Sequence, residues 1–321
     1  MANPARIALV GGESLAGAEL REVLREVLPH TRVKLVGSEE QGPAILTEEA
    51  GEAVVMTGLD GDALAQSVVI LLAGSRESSR KAMEMLAETL EPGDPRPSII
   101  DLSYAFDSAP VAAPLCSPAR ILPVQTIAHP ASVAIALFLI KLGGAFGLSR
   151  VVAQIFEPAS EQGRRGVEEL QQQTTQLLTF KPVDTTVFGD QLVFNLLPGV
   201  RETETRIEQH LASLGVRPLP SIRVTRASVM HGYAMNLWVE FDNRPGSAEL
   251  AAALQSDHID FRGPDHGVPT PVASAGQDGI FVGAVEPDPN SGRAAWFWLT
   301  ADNFRLRAVN AALAAKAILG E

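Results

Sequence analysis

The sequence contains one cysteine, Cys116, and has no excess of basic residues: its formal net charge is −12. A single cysteine excludes an internal disulfide and a cysteine-rich metal site, so we predict no metal centre. Cys116 lies between prolines in a loop-like segment, where a small apolar role is favoured and a reactive thiol is the alternative. With this net negative charge, the protein has no broad positive potential that would attract the phosphates of a nucleic acid or membrane. We therefore expect no nucleic-acid or anionic-membrane partner.

Long apolar runs are also missing. No run approaches the roughly 18 residues that a membrane span needs. The first residues contain only the short apolar run IALV, without the apolar core and cleavage site of a secretory signal. We therefore predict a cytoplasmic protein. With 46% hydrophobic and 20% charged residues in a chain of 321, the composition favours a globular protein of two domains.

The first third of the chain alternates predicted strands with helices. The segment RIALVGGESLAGAELREVLREV begins as a strand, turns at glycines and continues as a helix, with apolar residues at helical spacing. Further strands are predicted from RVKLVGSEE, AVVMTG, SVVILLAG and PSIIDLS, and a helix from SSRKAMEMLAETLE. This alternation is typical of a parallel sheet with helices on its faces.

The pattern changes after about residue 150. A long strand region, IRVTRASVMHGYAMNLWVEF, follows the predicted helices GRRGVEELQQQTTQLL and ETETRIEQHLASLG. We interpret this part as a second domain with a mixed or antiparallel sheet, and the tract QQQTTQ as a solvated helix face. The last segment, NFRLRAVNAALAAKAIL, is predicted to be an amphipathic helix.

The turn GGESLAG, between the first strand and helix, has the position of a dinucleotide phosphate loop. Gly11 and Gly17 keep the outer positions of a glycine spacing, but Ser14 takes the middle one, where a Cβ limits close approach of a phosphate. The turn alone leaves two interpretations open: a nucleotide site, or a tight connection that binds nothing.

Several motifs in chain order resemble the aspartate-β-semialdehyde dehydrogenase family, including the paralogues called the USG-1 group. They are LAGS at residues 72–75, IIDLSYAF, IAHPASVAIAL, EPASEQGRRGVEELQQQT, LVFNLLPGV, MHGYAMNLWVEF and WFWLTADNFRLRAVNAALAAKAIL. Each motif is modest, but their ordered succession covers nearly the whole chain.

The resemblance implies an α/β protein with the semialdehyde dehydrogenase fold. A Rossmann-like NAD(P)-binding domain would occupy residues 1–128 and be completed by a C-terminal helix at 302–321. An α+β domain over 129–301 would carry a mixed sheet used for dimerisation. We therefore expect a homodimer.

The family's chemistry allows each catalytic position to be checked. A cysteine thiolate attacks the acyl carbon, a histidine handles protons and a glutamine helps to hold the intermediate. The cysteine position falls on Ser132, or on Ala131 if the match is shifted by one. A serine hydroxyl is a far poorer nucleophile than a thiolate, and it forms an ester in place of a thioester. A small residue or helix cap is the favoured role for Ser132. Glu157 takes the glutamine position, and His231 matches the histidine.

The arginines that grip the anionic substrate in this family are not matched. Their positions fall on Asp107, Val224 and the segment GAVEPD at 283–288. Arg223 and Arg226 flank the second of these positions. We interpret both as solvated or dimer-edge charges, because neighbouring strand residues point to opposite faces.

The cofactor positions implied by the resemblance lie in four segments of the chain. They are Gly11, Gly12, Ser14, Leu15, Gly17, Ser38, Ala73, Gly74 and Asn310. Glu39 and Glu40 follow the second strand, where acids suit a ribose hydroxyl and repel a phosphate. If a dinucleotide binds, we expect NAD more than NADP, and a protein without a cofactor is the alternative.

The leading hypothesis is a catalytically impaired or inactive paralogue that keeps the dinucleotide-binding fold and the dimer. The alternative is an active NAD(P)-dependent oxidoreductase on aspartate semialdehyde or a related acyl or semialdehyde substrate. His231 would then act as the acid–base, with Ser132 or Glu157 recruited. A third possibility is a module that senses NAD or a related metabolite. The small-molecule ligand is not identified by the sequence.

Overall fold

The computed structural model describes residues 6–38, 45–49, 52–263 and 266–321. The chain divides into two compact units. The first comprises Met1–Ala128 with Arg307–Glu321, and the second comprises His129–Leu306.

The strands are β1 (Ile7–Val10), β2 (Val33–Val36), β3 (Ile45–Glu49), β4 (Glu52–Met56), β5 (Val69–Leu72), β6 (Ser98–Asp101), β7 (Val111–Ala112), β8 (Val124–Ile127), β9 (Leu148–Glu157), β10 (Leu196–Pro198), β11 (Ser221–Ala227), β12 (Tyr233–Phe241), β13 (Ile259–Phe261), β14 (Ile280–Pro287) and β15 (Ala294–Ala301). The helices are α1 (Leu15–Val27), α2 (Gly61–Ala65), α3 (Arg76–Thr89), α4 (Pro130–Ala145), α5 (Gly163–Leu178), α6 (Arg201–Ser213), α7 (Ser247–Leu254), α8 (Pro271–Ser274) and α9 (Asn303–Leu319), with a short 3₁₀ turn at Ala159–Gln162.

The first unit is built on a parallel sheet of order β2-β1-β5-β6-β8-β7. The central strand β1 is buried on both faces. Ile7 and Leu9 pack with residues of α1 and α9, whereas Ala8 and Val10 pack with residues of α2 and α3. Side chains alternate across a strand, so an unbroken apolar run is what a sheet covered on both faces requires. The predicted α/β class is confirmed.

The order of the strands positions a cleft in this unit. Strand β2 lies on one side of β1 and β5 lies on the other, so the strand order reverses between β1 and β5. In doubly wound sheets, ligands bind beyond the carboxyl ends of the strands where the order reverses. The loops that follow β1 and β5 lie at that point.

One predicted strand belongs elsewhere. The segment AVVMTG was assigned to the parallel sheet, but most of it, as β4, pairs antiparallel with β3 in a separate two-stranded sheet, and only Thr57 makes a parallel bridge to Val36 of β2. Only two residues separate β3 from β4, and a parallel connection needs a far longer crossover. The sequence prediction missed β3, whose pattern ILTEE has little apolar character.

The second unit is built on a mixed sheet of order β10-β11-β9-β12-β15-β14-β13, as predicted. The long strand region divides into β11 and β12, which lie on either side of β9, parallel and antiparallel to it respectively. Helix α4 packs with α6, α7 and β9, and its residues Pro130–Leu139 are all buried. The rings of Phe138 and Phe297 meet edge to face, with centroids 4.9 Å apart. The core of this unit therefore lies between α4 and the sheet.

The C-terminal helix begins and ends where the sequence predicted, but it is not amphipathic. Its buried residues occur on all sides, and five alanines from Ala308 to Ala315 are at most 1% exposed. Because alanine side chains are small, α9 can pack closely against neighbours on several sides. The periodicity of hydrophobic residues does not predict this kind of packing. Within the described ranges, no helix combines the length and apolar character needed to cross a membrane.

Candidate active site and nucleotide cleft

His231 lies at the start of β12 in the second unit, and both of its ring nitrogens have side-chain partners. Nε2 is 2.8 Å from Oδ2 of Asp302, and Nδ1 is 3.1 Å from Oγ of Ser160. The imidazole packs beside the ring of Phe304 and stays partly accessible, with 30% of its side chain exposed. A carboxylate on one nitrogen and a hydroxyl on the other fix the orientation of the ring.

Asp302 also begins α9. Its Oδ1 accepts the backbone N–H groups of Phe304 and Arg305, both at 2.9 Å, and its Oδ2 accepts that of Gly276 at 2.7 Å. Burial opposes its charge, but the hydrogen bond from His231, the backbone donors and the attraction of His231 outweigh burial and hold the pKa of Asp302 below its ordinary value. This carboxylate is therefore both a helix cap and the partner of the histidine.

A buried polar network continues from Ser160. Asn303 Nδ2 donates to Ser160 Oγ at 3.1 Å and to Glu161 Oε1 at 2.8 Å, while its Oδ1 accepts the backbone N–H of Gly232 at 3.2 Å. Glu161 in turn lies 3.9 Å from Nε2 of His129, which is the cap residue of α4. The 3₁₀ turn, the β11–β12 turn and two helix starts are thus held by one set of hydrogen bonds.

Glu157 is the last residue of β9 and is nearly fully enclosed, with 6% of its side chain exposed. Burial, and then the charge of Glu161, raise its pKa to about 7, while Arg226 acts in the opposite direction. The Nε of Arg226 lies 3.8 Å from Glu157 Oε1, and the two residues are paired across β9 and β11. A carboxyl with this pKa exists in both protonation states near neutral pH.

Arg226 is not the solvated charge that the strand pattern predicted, since its side chain is only 15% exposed. Arg223 does fit that prediction: its side chain is 71% exposed and pairs with Glu204 at 3.1 Å. The side chain of Arg226 also reaches the carbonyl of Phe188 at 3.4 Å. The prediction for Arg226 was wrong because strand alternation places this residue on the same face of β11 as the buried Ile222 and Val224.

Ser132 is fully buried in the first turn of α4, and its hydroxyl donates to the carbonyl of Ile207 in α6 at 3.2 Å. It does not cap the helix, since that role belongs to His129, whose Nδ1 accepts the N–H of Ala131. Ala131 is buried as well and offers no reactive atom. Neither alignment of the cysteine position therefore presents an accessible nucleophile.

Cys116 belongs to the first unit, where burial raises the pKa of its thiol to about 12. The thiolate is the reactive form, so a thiol with this pKa is almost entirely unreactive at neutral pH. Cys116 is only partly buried as a residue, so its role as a small packing residue stays a prediction.

His231 and Glu157 carry groups that can accept or release a proton. Neither Ser132 nor Cys116 presents a nucleophile for covalent catalysis. His231 is oriented and partly accessible, and Glu157 is linked to it only indirectly, through the charge of Glu161 and the network around Ser160. Ser132 is bonded to another helix instead. In the described part of the chain, no cluster of three or more histidine, cysteine or acidic side chains could hold a metal ion.

Sequence reasoning missed Ser160, Asp302 and Arg226 as members of this site. The first two lie in the quoted motifs EPASEQG and TADN, which match the family's Gln-Ala-Val-Ser-Gly and Ser-Asp-Asn segments. Those segments were the available signal. For Arg226 the available signal was strand alternation, which places it on the face of the apolar residues Ile222 and Val224.

The cleft of the first unit has a volume of about 650 Å³ and lies between the loops that follow β1 and β5. Its lining is polar and consists of Glu13, Ser14, Ser38, Gly74, Ser75, Glu77, Ser78, Arg80, Lys81 and Glu84. Three of the predicted cofactor positions, Ser14, Ser38 and Gly74, therefore meet in one cleft.

Two glycines allow the loops to pack this closely. Gly11 has φ of +78°, and a Cβ there would lie 2.4 Å from the backbone nitrogen of Gly74. A Cβ on Gly17 would lie 2.2 Å from the carbonyl oxygen of Gly11. Gly12 is different, because a Cβ there would make ordinary contacts with Leu35 and Met56. The first and last glycines of the turn are thus required sterically.

Ser14 caps α1: its Oγ accepts the N–H of Gly17 and donates to the carbonyl of Ala73, both at 2.8 Å. The hydroxyl therefore takes one of the backbone donors that a phosphate would use. Leu15 is partly buried at the first position of the helix, where helix N–H groups point outward.

Glu13 is exposed on the turn and reaches the residue that follows β2. Its Oε1 accepts the backbone N–H of Ser38 at 3.1 Å and the hydroxyl at 2.5 Å. Asn310 is fully buried in α9, and its side-chain oxygen accepts the N–H of Leu115 at 3.0 Å. Glu39 and Glu40, on which the preference for NAD was based, lie outside the described residues.

Comparisons with known proteins place these features in a family context. The sequence profile of the family described as semialdehyde dehydrogenase, dimerisation domain, matches residues 141–306. Aspartate-semialdehyde dehydrogenase 2 of Vibrio cholerae is 27% identical over 329 residues, covering 95% of this chain and 94% of that protein. The USG-1 protein homolog of Azotobacter vinelandii is 28% identical over 327 residues, covering 93% of each.

Solved structures show the same fold. The crystal structure of aspartate semialdehyde dehydrogenase II complexed with ASA, from Vibrio cholerae, has a TM-score of 0.84 at 22% identity and covers 99% of both chains. At this identity the likeness establishes the fold alone.

Proposed function

Because the chain belongs to the semialdehyde dehydrogenase family, by its dimerisation domain, we propose that it is a catalytically impaired or inactive paralogue of aspartate-semialdehyde dehydrogenase. The observation that carries this proposal is the state of Ser132, the residue at the nucleophile position. Its hydroxyl is fully buried and donates to the carbonyl of Ile207. A group enclosed in this way cannot attack an acyl carbon without first breaking the packing of α4 on α6.

The only cysteine does not replace the missing nucleophile. A thioester intermediate needs a thiolate, and the thiol of Cys116 has a pKa of about 12 because it is buried. An alcohol forms an ester instead, which is a poorer hydride acceptor, so the loss of sulfur costs orders of magnitude in rate.

The charges around His231 also favour loss of the original reaction. Glu157 stands where the resemblance places the family's neutral glutamine, and the Nε of Arg226 lies 3.8 Å from its carboxylate. An anionic substrate at this position would meet the carboxylates of Glu157 and Glu161, which repel it when they are ionised.

One observation favours the alternative of an active NAD(P)-dependent oxidoreductase on a semialdehyde or acyl substrate. His231 keeps a partly exposed ring whose Nε2 is hydrogen-bonded to the buried carboxylate of Asp302. A carboxylate on one ring nitrogen orients a general acid or base, and a substrate would then have to take the place of the Ser160 hydroxyl at Nδ1. In this alternative His231 holds the proton, and Glu157 would be the recruited partner, since Ser132 is fully buried.

The cleft in the first unit supports retention of a nucleotide. It lies at the point where strand order reverses, and the α1 N-terminus, Gly11 and Gly74 suit the close approach of a pyrophosphate. The residues that would hold a dinucleotide there are Ser14, Leu15, Ser38 and Gly74. A bound nicotinamide would supply hydride transfer, and this chain's contribution is to hold and orient it. Binding without turnover would make the protein a sensor of the nucleotide.

The sheet of the second unit supports a homodimer. Its face opposite α4 carries all three tryptophans of the chain, Trp238, Trp296 and Trp298. Trp238 and Trp296 are direct cross-strand partners, Trp296 is 37% exposed, and Val152 on the same face is 44% exposed. A contiguous aromatic surface of this kind is typical of a protein interface, so we propose that a second copy covers it.

Steady-state turnover tests the proposed function. Purified protein is incubated with aspartate semialdehyde, phosphate and either NAD or NADP, with the Vibrio cholerae dehydrogenase as the positive control, and the reduced nicotinamide is followed by absorbance. No turnover above buffer supports the impaired paralogue. Turnover that is lost in His231→Asn would support the active alternative.

A further inference from the structure

We propose that Glu13 restricts the nucleotide cleft to ligands whose adenosine ribose carries a free 2′-hydroxyl, and that it excludes those with a 2′-phosphate. The inference rests on the nucleotide-binding part of the proposed function. It assigns the specificity to a residue on the phosphate turn itself.

The geometry of one contact is the starting point. Glu13 Oε1 accepts both hydrogen-bond donors of Ser38, the backbone N–H at 3.1 Å and the hydroxyl at 2.5 Å. Ser38 follows β2 by two residues, and both residues line the cleft. A carboxylate from the first turn is thus held at the end of the second strand.

That location determines what the carboxylate does. In doubly wound folds, the adenosine ribose lies at the end of the second strand, where an acid accepts a hydrogen bond from the 2′-hydroxyl. A ribose hydroxyl can donate to Glu13 in place of the Ser38 hydroxyl, so the charge stays satisfied. A 2′-phosphate could bind Ser38 only by displacing Glu13, because Glu13 already accepts both hydrogen-bond donors of Ser38. The displaced carboxylate would still lie close to the phosphate and repel it.

The cations of the cleft do not compensate for this charge. Arg80 and Lys81 are on α3, which follows β5, and β5 lies on the opposite side of β1 from β2. The strands β2 and β5 themselves are two strand spacings apart, about 10 Å. The acids of the lining, Glu13, Glu77 and Glu84, outnumber the two bases, so a dianionic group gains no net attraction.

A purely structural role for Glu13 makes a different prediction. Glu13 is exposed, and exposed polar contacts contribute at most about 1 kcal/mol to stability. If the contact served only to hold the loop, replacing Glu13 would change thermal stability slightly and affect all nucleotides alike. A specificity role changes the ratio of affinities instead.

Calorimetric titration of the full chain with NAD and with NADP separates these cases. We expect the unmodified protein to bind NAD at least about tenfold more tightly than NADP. Glu13→Gln keeps the size of the side chain and removes the charge, so it should strengthen NADP binding about tenfold and remove most of the preference. Glu88→Gln, which removes an exposed acid of α3 that does not line the cleft, should leave the ratio unchanged.

The other outcomes distinguish a failure of the role of Glu13 from a failure of nucleotide binding. If the unmodified protein binds NAD but Glu13→Gln leaves the ratio as it was, or if NADP is preferred from the start, the role of Glu13 is wrong and the nucleotide cleft stands. If neither nucleotide binds to any of the three proteins, the nucleotide-binding part of the proposed function fails together with the inference.

Discussion

The Nε2 atom of His231 lies 2.8 Å from Oδ2 of Asp302, and the other carboxylate oxygen of Asp302 caps α9. One buried acid therefore serves the fold and the candidate site at once. Its two functions can be separated by substitution, because asparagine caps a helix nearly as well as aspartate but carries no charge.

Asp302→Ala should lower the free energy of unfolding by about 2 kcal/mol, since both the cap and the contact with His231 are lost. Asp302→Asn should cost less, by about 1 kcal/mol, because the cap is kept. The pKa of Asp302 is lowered in the folded protein, so its contribution is present above the unfolded pKa and is lost as pH falls through the folded value.

Urea unfolding at neutral pH, repeated below pH 3.8, the ordinary pKa of an aspartate, measures these effects. The unmodified protein should lose its advantage over Asp302→Asn on acidification. Equal stability of the alanine variant and the unmodified protein would refute the cap assignment.

Glu157 should make the protein less stable as pH rises. Its pKa is about 7 in the fold against an ordinary value of 4.5, so the folded state holds a proton that the unfolded chain releases between these values. The resulting loss of stability is fully present above pH 7 and amounts to about 3 kcal/mol. Glu157→Gln stays neutral throughout, so it should match the unmodified protein near pH 5 and exceed its stability at pH 8.

Urea titrations of both proteins at the two pH values provide the check, with Glu84→Gln, an exposed acid, as the matched control. A stability difference that does not change with pH would show that Glu157 ionises normally.

The glycines of the first turn should respond very differently to a methyl group. Gly11→Ala forces a Cβ to within 2.4 Å of the Gly74 nitrogen at a φ of +78°, so it should cost more than about 2 kcal/mol. Gly12→Ala makes only ordinary contacts and should be neutral or slightly stabilising. Thermal unfolding of the pair tests the loop packing, and equal effects at the two positions would contradict it.

Trp296→Glu should dissociate the proposed dimer. A charge at the centre of the aromatic sheet face removes a large buried anchor, and such anchors contribute about 2 to 4 kcal/mol to binding. Analytical ultracentrifugation over a range of concentrations measures the change. Ile121→Glu, at a residue that is 68% exposed in the other unit, is the control. A monomeric unmodified protein, or a dimer unaffected by Trp296→Glu, would rule out this interface.

Most of the fold could be predicted because local pattern and tertiary environment agree. The helix over Gly163–Leu178 and the one over Asn303–Leu319 begin and end where the residue pattern predicted. The tract QQQTTQ shows the limit of this approach. Gln173 is fully buried, where its amide accepts the N–H groups of Leu192 and Val193 and donates to the carbonyl of Asp184. A glutamine that satisfies a distant loop has no local signal.

The candidate site was predictable only in part, for the same reason. The motifs located His231, Ser132 and Glu157, but they carry no information on which hydroxyl is accessible. The enclosure of Ser132 depends on α6, which lies some 75 residues further along the chain. The contact between Glu13 and Ser38 likewise joins two elements that the sequence presents separately.

Detection of an acyl-enzyme tests the absence of a working nucleophile most directly. The protein is incubated with aspartate semialdehyde and NAD or NADP, quenched with acid and analysed by intact-mass spectrometry, together with Ser132→Ala and the Vibrio cholerae dehydrogenase. We predict no covalent adduct on the unmodified protein under conditions in which the dehydrogenase is acylated. An aspartyl adduct that disappears in Ser132→Ala, or one located on Cys116, would contradict the proposal of an impaired paralogue.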